Sequence, residues 1–135
     1  MVIDTSALIA ILANEPEAEL FETAIDADPI RLISAAAVLE TAIVAGARYG
    51  DIGGRELDLL LYKAEIQIVA VTPGQVDAGR QAFSTYGKGR HPAALNFGDC
   101  FSYALAKTSG EPLLFKGNDF SQTDVAIARL LTEGP

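Results

Sequence analysis

The chain has 135 residues, of which half are hydrophobic and 21% are charged, so its composition is that of a folded globular protein rather than a disordered or fibrous one. The formal net charge of −8 opposes nonspecific attraction to nucleic-acid phosphates and to anionic membranes. A single cysteine excludes an internal disulfide framework, and no apolar run approaches the roughly 20 residues of a membrane span. We therefore expect one cytoplasmic domain over residues 1–135 that does not enter membranes.

Short apolar segments alternate with segments of helical periodicity along the chain. In the first half of the chain we predict a strand at 2–3, helices over 5–13 and 16–28, a strand at 30–33 and a helix from 34 to Gly50. A break at Gly53-Gly54 follows, and after it comes a helical segment with an apolar stripe. In the second half we predict a strand at 66–71, a helix from Pro73, a loop at 86–92, a helix over 96–110, a strand at 112–115 and a frayed end at Gly134-Pro135. No hairpin dipeptide joins adjacent strands. The pattern is typical of an α/β domain with a largely parallel sheet.

Isolated acidic residues stand where apolar segments begin, end or are interrupted, and these are Asp4, Glu40, Asp99 and Asp119. A carboxylate beside a folded core costs free energy unless it is hydrogen-bonded, paired or bound to a cation. Parallel sheets bind ligands beyond the carboxyl ends of their strands, where Asp4 and Asp119 are predicted to lie. We therefore expect a shared acidic pocket.

Such a pocket suits Mg²⁺ or Mn²⁺, which prefer oxygen ligands. If the carboxylates converge, a divalent ion resolves their repulsion near neutral pH more simply than a raised pKa does. An ion held in this way can polarise a phosphodiester and activate an attacking water. His91 and Cys100 are the only residues of their kinds, so no zinc motif competes, and neither a Walker A loop nor a GxGxxG fingerprint occurs.

Each acid also has a structural alternative. Asp4 can cap the first helix, Asp99 can pair with Asn96 in a capping box, and Asp119 can close a turn. One exposed Glu on a helix is ordinary, so Glu40 taken alone is a weak signal. Asp124 has capping-box spacing from Ser121, which favours a structural role over metal binding.

Some neighbouring residues are less certain candidates for the site. The hydroxyl of Ser6 can orient a carboxylate or cap a helix, and Asn96 and Asn118 have the same ambiguity. If RNA binds an acidic protein, local cations must compensate for the charge, and the densest basic stretch contains Arg80, Lys88 and Arg90. We retain these three as candidate RNA contacts, although each is also typical of a solvated loop.

Four segments carry a resemblance to a known family: VIDTSALIAIL at 2–12, SAAAVLETAIV at 34–44, LNFGDCFSYALAK at 95–107 and PLLFKGNDF at 112–120. Together they resemble a PIN-domain ribonuclease of the VapC toxin type over nearly the whole length. No single segment is decisive, but the ordered combination of Asp-x-Ser, a mid-helix Glu, an Asp-initiated helix and a strand-end Asp is fairly specific.

The resemblance implies a three-layer α/β/α sandwich and an endoribonuclease that depends on Mg²⁺, for which Mn²⁺ can substitute. It implies the toxin of a type II toxin–antitoxin pair, with a cognate antitoxin, an RNA substrate and a homodimeric state. By similarity the catalytic and metal-binding acids are Asp4, Glu40, Asp99 and Asp119, with Ser6 beside the first. The fourth position varies most in that family, so Asp124 competes with Asp119 for it.

Two other classes of function are compatible with an acidic Mg²⁺ pocket. A receiver-like module would carry paired acids after the first strand and a phosphoacceptor Asp after a middle strand, whereas here the first strand is followed by Asp4 alone and the strand at 66–71 by Thr72-Pro73. A non-enzymatic RNA- or protein-binding module would keep the fold without the activity. The complete set of four acids favours the nuclease.

Overall fold

A computed structural model of the protein describes residues 1–131, so the predicted fraying at Gly134-Pro135 lies outside the described residues. The elements within them are β1 (Val2–Ile3), α1 (Thr5–Leu12), α2 (Ala18–Ala27), β2 (Leu32–Ser34), α3 (Ala35–Tyr49), α4 (Asp51–Lys63), β3 (Gln67–Val69), α5 (Pro73–Tyr86), α6 (Phe97–Ser109), β4 (Leu113–Leu114) and a 3₁₀ turn (Phe120–Gln122). Strands and helices alternate broadly as the sequence predicts. No helix in this part of the chain is both long and apolar enough to cross a membrane.

The four strands form one sheet in the order β3-β2-β1-β4, and every neighbouring pair is parallel. Val2 of β1 is in register with Leu32 on one side and with Leu113 on the other. The backbone amide of Asp4 donates to the carbonyl of Leu114 at 2.9 Å, which continues the pairing just beyond β1. Asp4 therefore leaves the middle of the sheet at its carboxyl edge.

Side chains of successive strand residues point to opposite faces of the sheet and enter two separate hydrophobic clusters. Ile3 and Leu114 pack with residues of α1 to α4. Val2 and Leu113 pack with residues of α5 and α6. All four side chains are essentially inaccessible to solvent, and burial of such a side chain contributes about 1.5–3 kcal/mol. The predicted three-layer α/β/α sandwich is confirmed.

The predicted break at Gly53-Gly54 is wrong, because both glycines lie inside α4. The chain breaks at Gly50, whose φ of 63° lies in the left-handed region that favours glycine. Gly53 is buried against the backbone carbonyl of Ala45, and a Cβ at this position would overlap that group. Close packing of α3 on α4 therefore outweighs the low helix propensity of glycine, which costs about 1 kcal/mol relative to alanine.

The first strand is confirmed at Val2–Ile3, and the other three are shorter than predicted. The strand expected at 30–33 begins at Leu32, because the amide of Ile30 donates to Asp28 Oδ1 at 2.9 Å rather than to a neighbouring strand. The strand expected at 66–71 covers only Gln67–Val69, since the amide of Ile66 is held by the carbonyl of Leu61 at 3.0 Å at the end of α4. These differences concern element ends and leave the positions of the four acids unchanged.

Candidate active site

Asp4 follows β1 and is almost fully buried, with 4% of its surface exposed. Its Oδ2 accepts hydrogen bonds from the backbone amide of Ser6 at 3.0 Å and from Ser6 Oγ at 2.6 Å. Its Oδ1 accepts a hydrogen bond from Ser102 Oγ at 2.6 Å. Three donors thus offset the cost of burying the carboxylate, and one of them makes Asp4 the N-cap of α1.

Ser6 joins the ends of two neighbouring strands. Its Oγ donates to Asp4 and accepts a hydrogen bond from the backbone amide of Lys116 at 2.9 Å, two residues beyond β4. The ammonium group of Lys116 forms ion pairs with Glu15 and Glu17 in the turn between α1 and α2. The candidate Ser6 therefore lies beside Asp4, with both its hydrogen and an oxygen lone pair engaged.

Asn96 and Asp99 form the capping box that their spacing predicts at the start of α6. The amide of Asp99 donates to Asn96 Oδ1 at 2.9 Å, and the amide of Asn96 donates to Asp99 Oδ2 at 3.0 Å. This structural role uses only one oxygen of the Asp99 carboxylate. Among the described residues, no side chain or backbone amide donates to Oδ1, so capping leaves Asp99 able to bind a further group.

The pKa of Asp99 is raised from 3.8 to about 6. Burial is the largest cause; the hydrogen bond from Asn96 opposes it, and the negative charges of Asp4, Asp119 and Glu40 raise the pKa further. The structure therefore brings the other three predicted acids within electrostatic range of Asp99. In such a group either a proton or a cation must relieve the repulsion.

Glu40 reaches this group from the middle of α3 and is half-buried. Its carboxylate lies against the backbone of Gly98 in the first turn of α6, and a Cβ at position 98 would overlap both carboxylate oxygens. The positive end of a helix dipole favours a carboxylate at this place. The absence of a side chain at Gly98 thus leaves room for the Glu40 carboxylate at the start of α6.

Asp119 and Asp124 have different surroundings. Asp119 is exposed, makes no side-chain capping bond to the 3₁₀ turn that follows it, and is one of the charges that act on Asp99. Asp124 accepts a hydrogen bond from Tyr103 Oη and pairs with Lys107 Nζ at 3.1 Å. Of the two competing acids, Asp119 is therefore the one that joins the group.

The predicted capping box of Ser121 and Asp124 is wrong. Ser121 lies inside the 3₁₀ turn, and its Oγ donates to the backbone carbonyl of Asn118 at 2.7 Å rather than capping a helix. The side chain of Asp124 is occupied by α6 instead. Asn118 is exposed near Asp119, and the hydrogen bonds described for it use its carbonyl.

The four acids do not form a complete metal-binding site by themselves. Within residues 1–131, no group of three or more His, Cys, Asp or Glu side chains is close enough together to hold a metal ion as it stands. Mg²⁺ usually takes only one or two protein carboxylates and completes its shell with waters or substrate phosphates. The donor set, which consists of oxygen atoms alone, fits that pattern of coordination better than a zinc-like one.

A groove of about 640 Å³ lies between α5 and α6, and none of the four acids lines it. Arg80 and Arg90 line it together with Phe97 and with Cys100, the residue after Asp99. Lys88 is exposed in the loop after α5 and does not line this groove. Within the described part of the chain, no carboxylate forms an ion pair with any of the three predicted basic residues.

Sequence reasoning missed two residues of this region, Ser102 and Gly98. Ser102 contacts Asp4 from 98 residues away, and the available signal was its position three residues after Asp99, which is the same face of a helix. Gly98 has no side chain, so its residue type alone indicates no chemical role. The available signal was a glycine in the first turn of a predicted helix. Glycine has a low helix propensity, and its presence in a helix often reflects the close approach of another group.

Comparison with known proteins identifies the family. The profile of the PIN domain matches residues 1–126. Ribonuclease VapC30 of Mycobacterium tuberculosis is 63% identical over 130 residues, covering 96% of this chain and 99% of the relative. Ribonuclease VapC of Mycolicibacterium smegmatis is 64% identical over 126 residues, covering 93% and 98%. The chain therefore belongs to the PIN-domain family and, within it, to the VapC group.

A solved structure supports the fold. The crystal structure of Mycobacterium tuberculosis VapC20, described as a sarcin–ricin loop cleaving toxin, superposes with a TM-score of 0.76 and covers 95% of this chain and 98% of that one. Its sequence is only 17% identical, so the likeness concerns the arrangement of strands and helices. The predicted resemblance to the VapC type is confirmed by the relatives at higher identity.

Proposed function

We propose that the protein is an Mg²⁺- or Mn²⁺-dependent endoribonuclease and the toxin of a type II toxin–antitoxin pair. The observation that carries the proposal is the convergence of carboxylates on the start of α6, where Glu40 lies against Gly98 and the charges of Asp4, Asp119 and Glu40 all act on Asp99. The relatives named ribonuclease VapC, at 63% and 64% identity, support RNA hydrolysis as the reaction. The catalytic group we assign is Asp4, Glu40, Asp99 and Asp119.

Asp4 and Asp99 are the proposed direct ligands of the ion. Ser6 holds Oδ2 of Asp4 with two donors, whereas Ser102 alone donates to Oδ1, so Oδ1 is the oxygen that keeps a lone pair for a cation. Asp99 binds Asn96 through Oδ2 alone. Glu40 and Asp119 complete the site directly or through water. A bound divalent ion supplies positive charge that offsets the repulsion of the carboxylates and stabilises the charge developing on the phosphodiester.

RNA reaches the acids along the groove between α5 and α6 in this proposal. Arg80 and Arg90 line the groove and have no carboxylate partner among the described residues, so both are available to phosphates. The net charge of −8 makes such local cations necessary, because the remainder of the surface repels a polyanion. Lys88, on the neighbouring loop, contributes at longer range.

The proposed protein partners are a cognate antitoxin and a second copy of the chain. The VapC name of the relatives implies an antitoxin. A second groove of about 440 Å³ lies between α3 and α6 and contains Glu40 among exposed apolar side chains such as Leu39, Ile43 and Phe97. An antitoxin segment seated there would place an Arg or Lys beside the acids, where it would compete with the ion for the carboxylates.

The test measures cleavage of a pool of single-stranded and structured RNAs by the purified protein. The chelated protein should be inactive, and Mg²⁺ or Mn²⁺ should restore cleavage. Asp99→Asn and Asp4→Asn should each lower the rate by a factor on the order of 100 or more. The matched control is Asp124→Asn, which removes an acid held by Tyr103 and Lys107 and should cleave like the parent.

Full activity of Asp99→Asn or Asp4→Asn with Mg²⁺ would contradict the proposal. RNA binding without cleavage at any concentration of either ion would support the non-enzymatic binding module instead. Membership of the PIN-domain family leaves the receiver-like alternative without support, and Lys116, which such a module would aim at a phosphate, is paired with Glu15 and Glu17.

A further inference from the structure

Ser102 makes one of the longest-range side-chain contacts in the described structure. It lies in α6, one helical turn after Asp99, with 1% of its surface exposed. Its Oγ donates to Asp4 Oδ1 at 2.6 Å across a separation of 98 residues. No other hydrogen bond is described for this hydroxyl, so its single hydrogen is committed to Asp4.

The geometry makes the two serines beside Asp4 unequal. Ser6 holds Oδ2 through both its backbone amide and its hydroxyl, so that oxygen keeps a protein donor even without the hydroxyl. Oδ1 has Ser102 as its one donor among the described residues. A hydrogen bond to an ionised carboxylate is short and strong, and loss of this bond would leave Asp4 held by one oxygen. The orientation of the carboxylate therefore depends on Ser102.

Ser102 also couples two acids that come from different elements. Asp99 and Ser102 are three residues apart on α6 and share one face of the helix. Asp4 stands at the end of β1 in the middle of the sheet. The hydrogen bond from Ser102 fixes Asp4 relative to the helix that carries Asp99, so it sets the spacing between the two carboxylates that we assign as direct ligands.

We propose that Ser102 is a positioning residue for the metal-dependent reaction, acting through Asp4 to orient the lone pair of Oδ1 that remains for the ion. The inference rests on the proposed function, since it assumes that Asp4 binds the ion. It goes beyond that function by assigning a role to a residue outside the acidic group. Outer partners of metal ligands typically change metal affinity or activity by about 10- to 100-fold when they are removed.

A purely structural explanation makes a different prediction. If Ser102 only satisfies a buried carboxylate, its removal lowers the stability of the fold and leaves the folded protein with its full affinity for the ion. If Ser102 positions Asp4, affinity for the ion falls in protein that is still folded. The two explanations therefore separate when affinity and stability are measured on the same variants.

The experiment compares Ser102→Ala, Ser102→Thr and the control Thr108→Val in the full chain. Thr108 lies on the same helix and donates to the carbonyl of Ala104 at 2.8 Å, so its substitution removes a hydroxyl that does not reach Asp4. Free Mn²⁺ is counted by electron paramagnetic resonance to obtain affinity without relying on cleavage. The turnover of RNA and the urea midpoint are measured on the same samples.

We expect Ser102→Ala to bind Mn²⁺ about 10- to 100-fold more weakly and to lose turnover at saturating RNA in parallel, while remaining folded. Thr108→Val should match the parent, and Ser102→Thr, which keeps the hydroxyl, should recover most of the affinity. If the extra methyl of Ser102→Thr prevents folding, the comparison of Ser102→Ala with Thr108→Val decides alone.

Equal Mn²⁺ affinity of Ser102→Ala and the parent would overturn this inference and leave the proposed function standing. An equal loss of affinity in Thr108→Val would overturn it as well, because the effect would then be a general one of the helix. A parent protein that binds no Mn²⁺ would overturn the proposed metal dependence and this inference with it.

Discussion

The two halves of α6 are next to carboxylates in opposite electrostatic situations, Asp99 of the helix itself and Asp124 of the segment that follows the 3₁₀ turn. At the start of the helix, Asp99 is surrounded by other acids, and its pKa is raised to about 6 by burial and by their charges. Further along, Tyr103 and Lys107 hold Asp124, and the hydrogen bond from Tyr103 is the largest cause of its lowered pKa, assisted by Lys107. The helix thus begins with an acid whose charge is repelled by its neighbours, and its second half supplies the partners that offset the charge of Asp124.

This contrast separates residues that serve the reaction from residues that serve the fold. Asp124 gains favourable partners when the chain folds, so its ionised form stabilises the native state. Asp99 loses solvent and gains repulsion, so its ionised form destabilises the native state unless a cation binds. Clusters of acids that oppose folding are common at functional sites, where the arrangement is kept for chemistry rather than for stability.

Outside the four acids, the largest expected effect on cleavage comes from a side chain at position 98, which would fill the space that the Glu40 carboxylate occupies. Gly98→Ala introduces a methyl group that overlaps the carboxylate of Glu40 and forces it or α6 to move. We expect cleavage to fall by about 100-fold, since displacements of the order of 1 Å at a reacting centre have effects of that size. The measurement is the rate of RNA cleavage at saturating Mg²⁺.

Gly46→Ala is the matched control, because no atom lies within 4 Å of a Cβ at that position of α3. It should keep the cleavage rate and gain up to about 1 kcal/mol of stability from the better helix propensity of alanine. A Gly98→Ala protein as active as the parent would show that the close contact between Glu40 and Gly98 has no role in the reaction.

The second prediction concerns stability and pH in the absence of divalent ions. Because the folded pKa of Asp99 is about 6 and the ordinary value is 3.8, the folded state holds a proton between these values that the unfolded chain has lost. The carboxyl therefore costs nothing below about pH 4, costs progressively more up to about pH 6, and carries its full penalty above that.

Asp99→Asn keeps an oxygen acceptor for the amide of Asn96 and removes the charge, so it should be more stable than the parent at neutral pH. The difference should shrink to nothing as the pH falls through about 4. Denaturant midpoints of both proteins across this range, with a chelator present, measure it. A constant difference at all pH values would contradict the assigned cause.

The smallest effect on function is expected at Asp124, whose charge is offset by Tyr103 and Lys107. Asp124→Asn weakens the pair with Lys107 and the hydrogen bond from Tyr103, and should cost about 1 kcal/mol at neutral pH. Because the folded pKa of Asp124 is lowered, its stabilisation exists above the ordinary value of 3.8 and is lost as the pH falls through the folded value. The cost should therefore disappear in strong acid, which is opposite to Asp99→Asn, and cleavage should remain at the parental rate throughout.

Local patterns in the sequence predicted what local interactions determine. The capping box of Asn96 and Asp99 follows from a spacing of three residues, and the parallel sheet follows from strands separated by helices. The break placed at Gly53-Gly54 was wrong because packing of Gly53 on Ala45 depends on two helices meeting, which no short window of sequence contains. The same reason kept Ser102 out of the predicted site.

Asp124 also shows that a local spacing can suggest the wrong partners for a side chain. Its spacing from Ser121 imitates a capping box, yet its partners Tyr103 and Lys107 lie 21 and 17 residues away on another element. The four predicted acids do share one electrostatic neighbourhood, which is a statement about the folded chain that the resemblance to a family anticipated. Their assignment as ligands and catalytic groups stays a prediction for the activity tests above.

The order of the site residues along the chain has a consequence for synthesis. Asp4 and Glu40 are synthesised before α6, whereas Asp99 and Ser102 belong to α6 and Asp119 follows it. A nascent chain that ends before α6 has neither the second proposed ligand nor the hydroxyl that holds Asp4 Oδ1. The proposed site is therefore incomplete until α6 has been synthesised, and the early strands and helices alone hold only part of it.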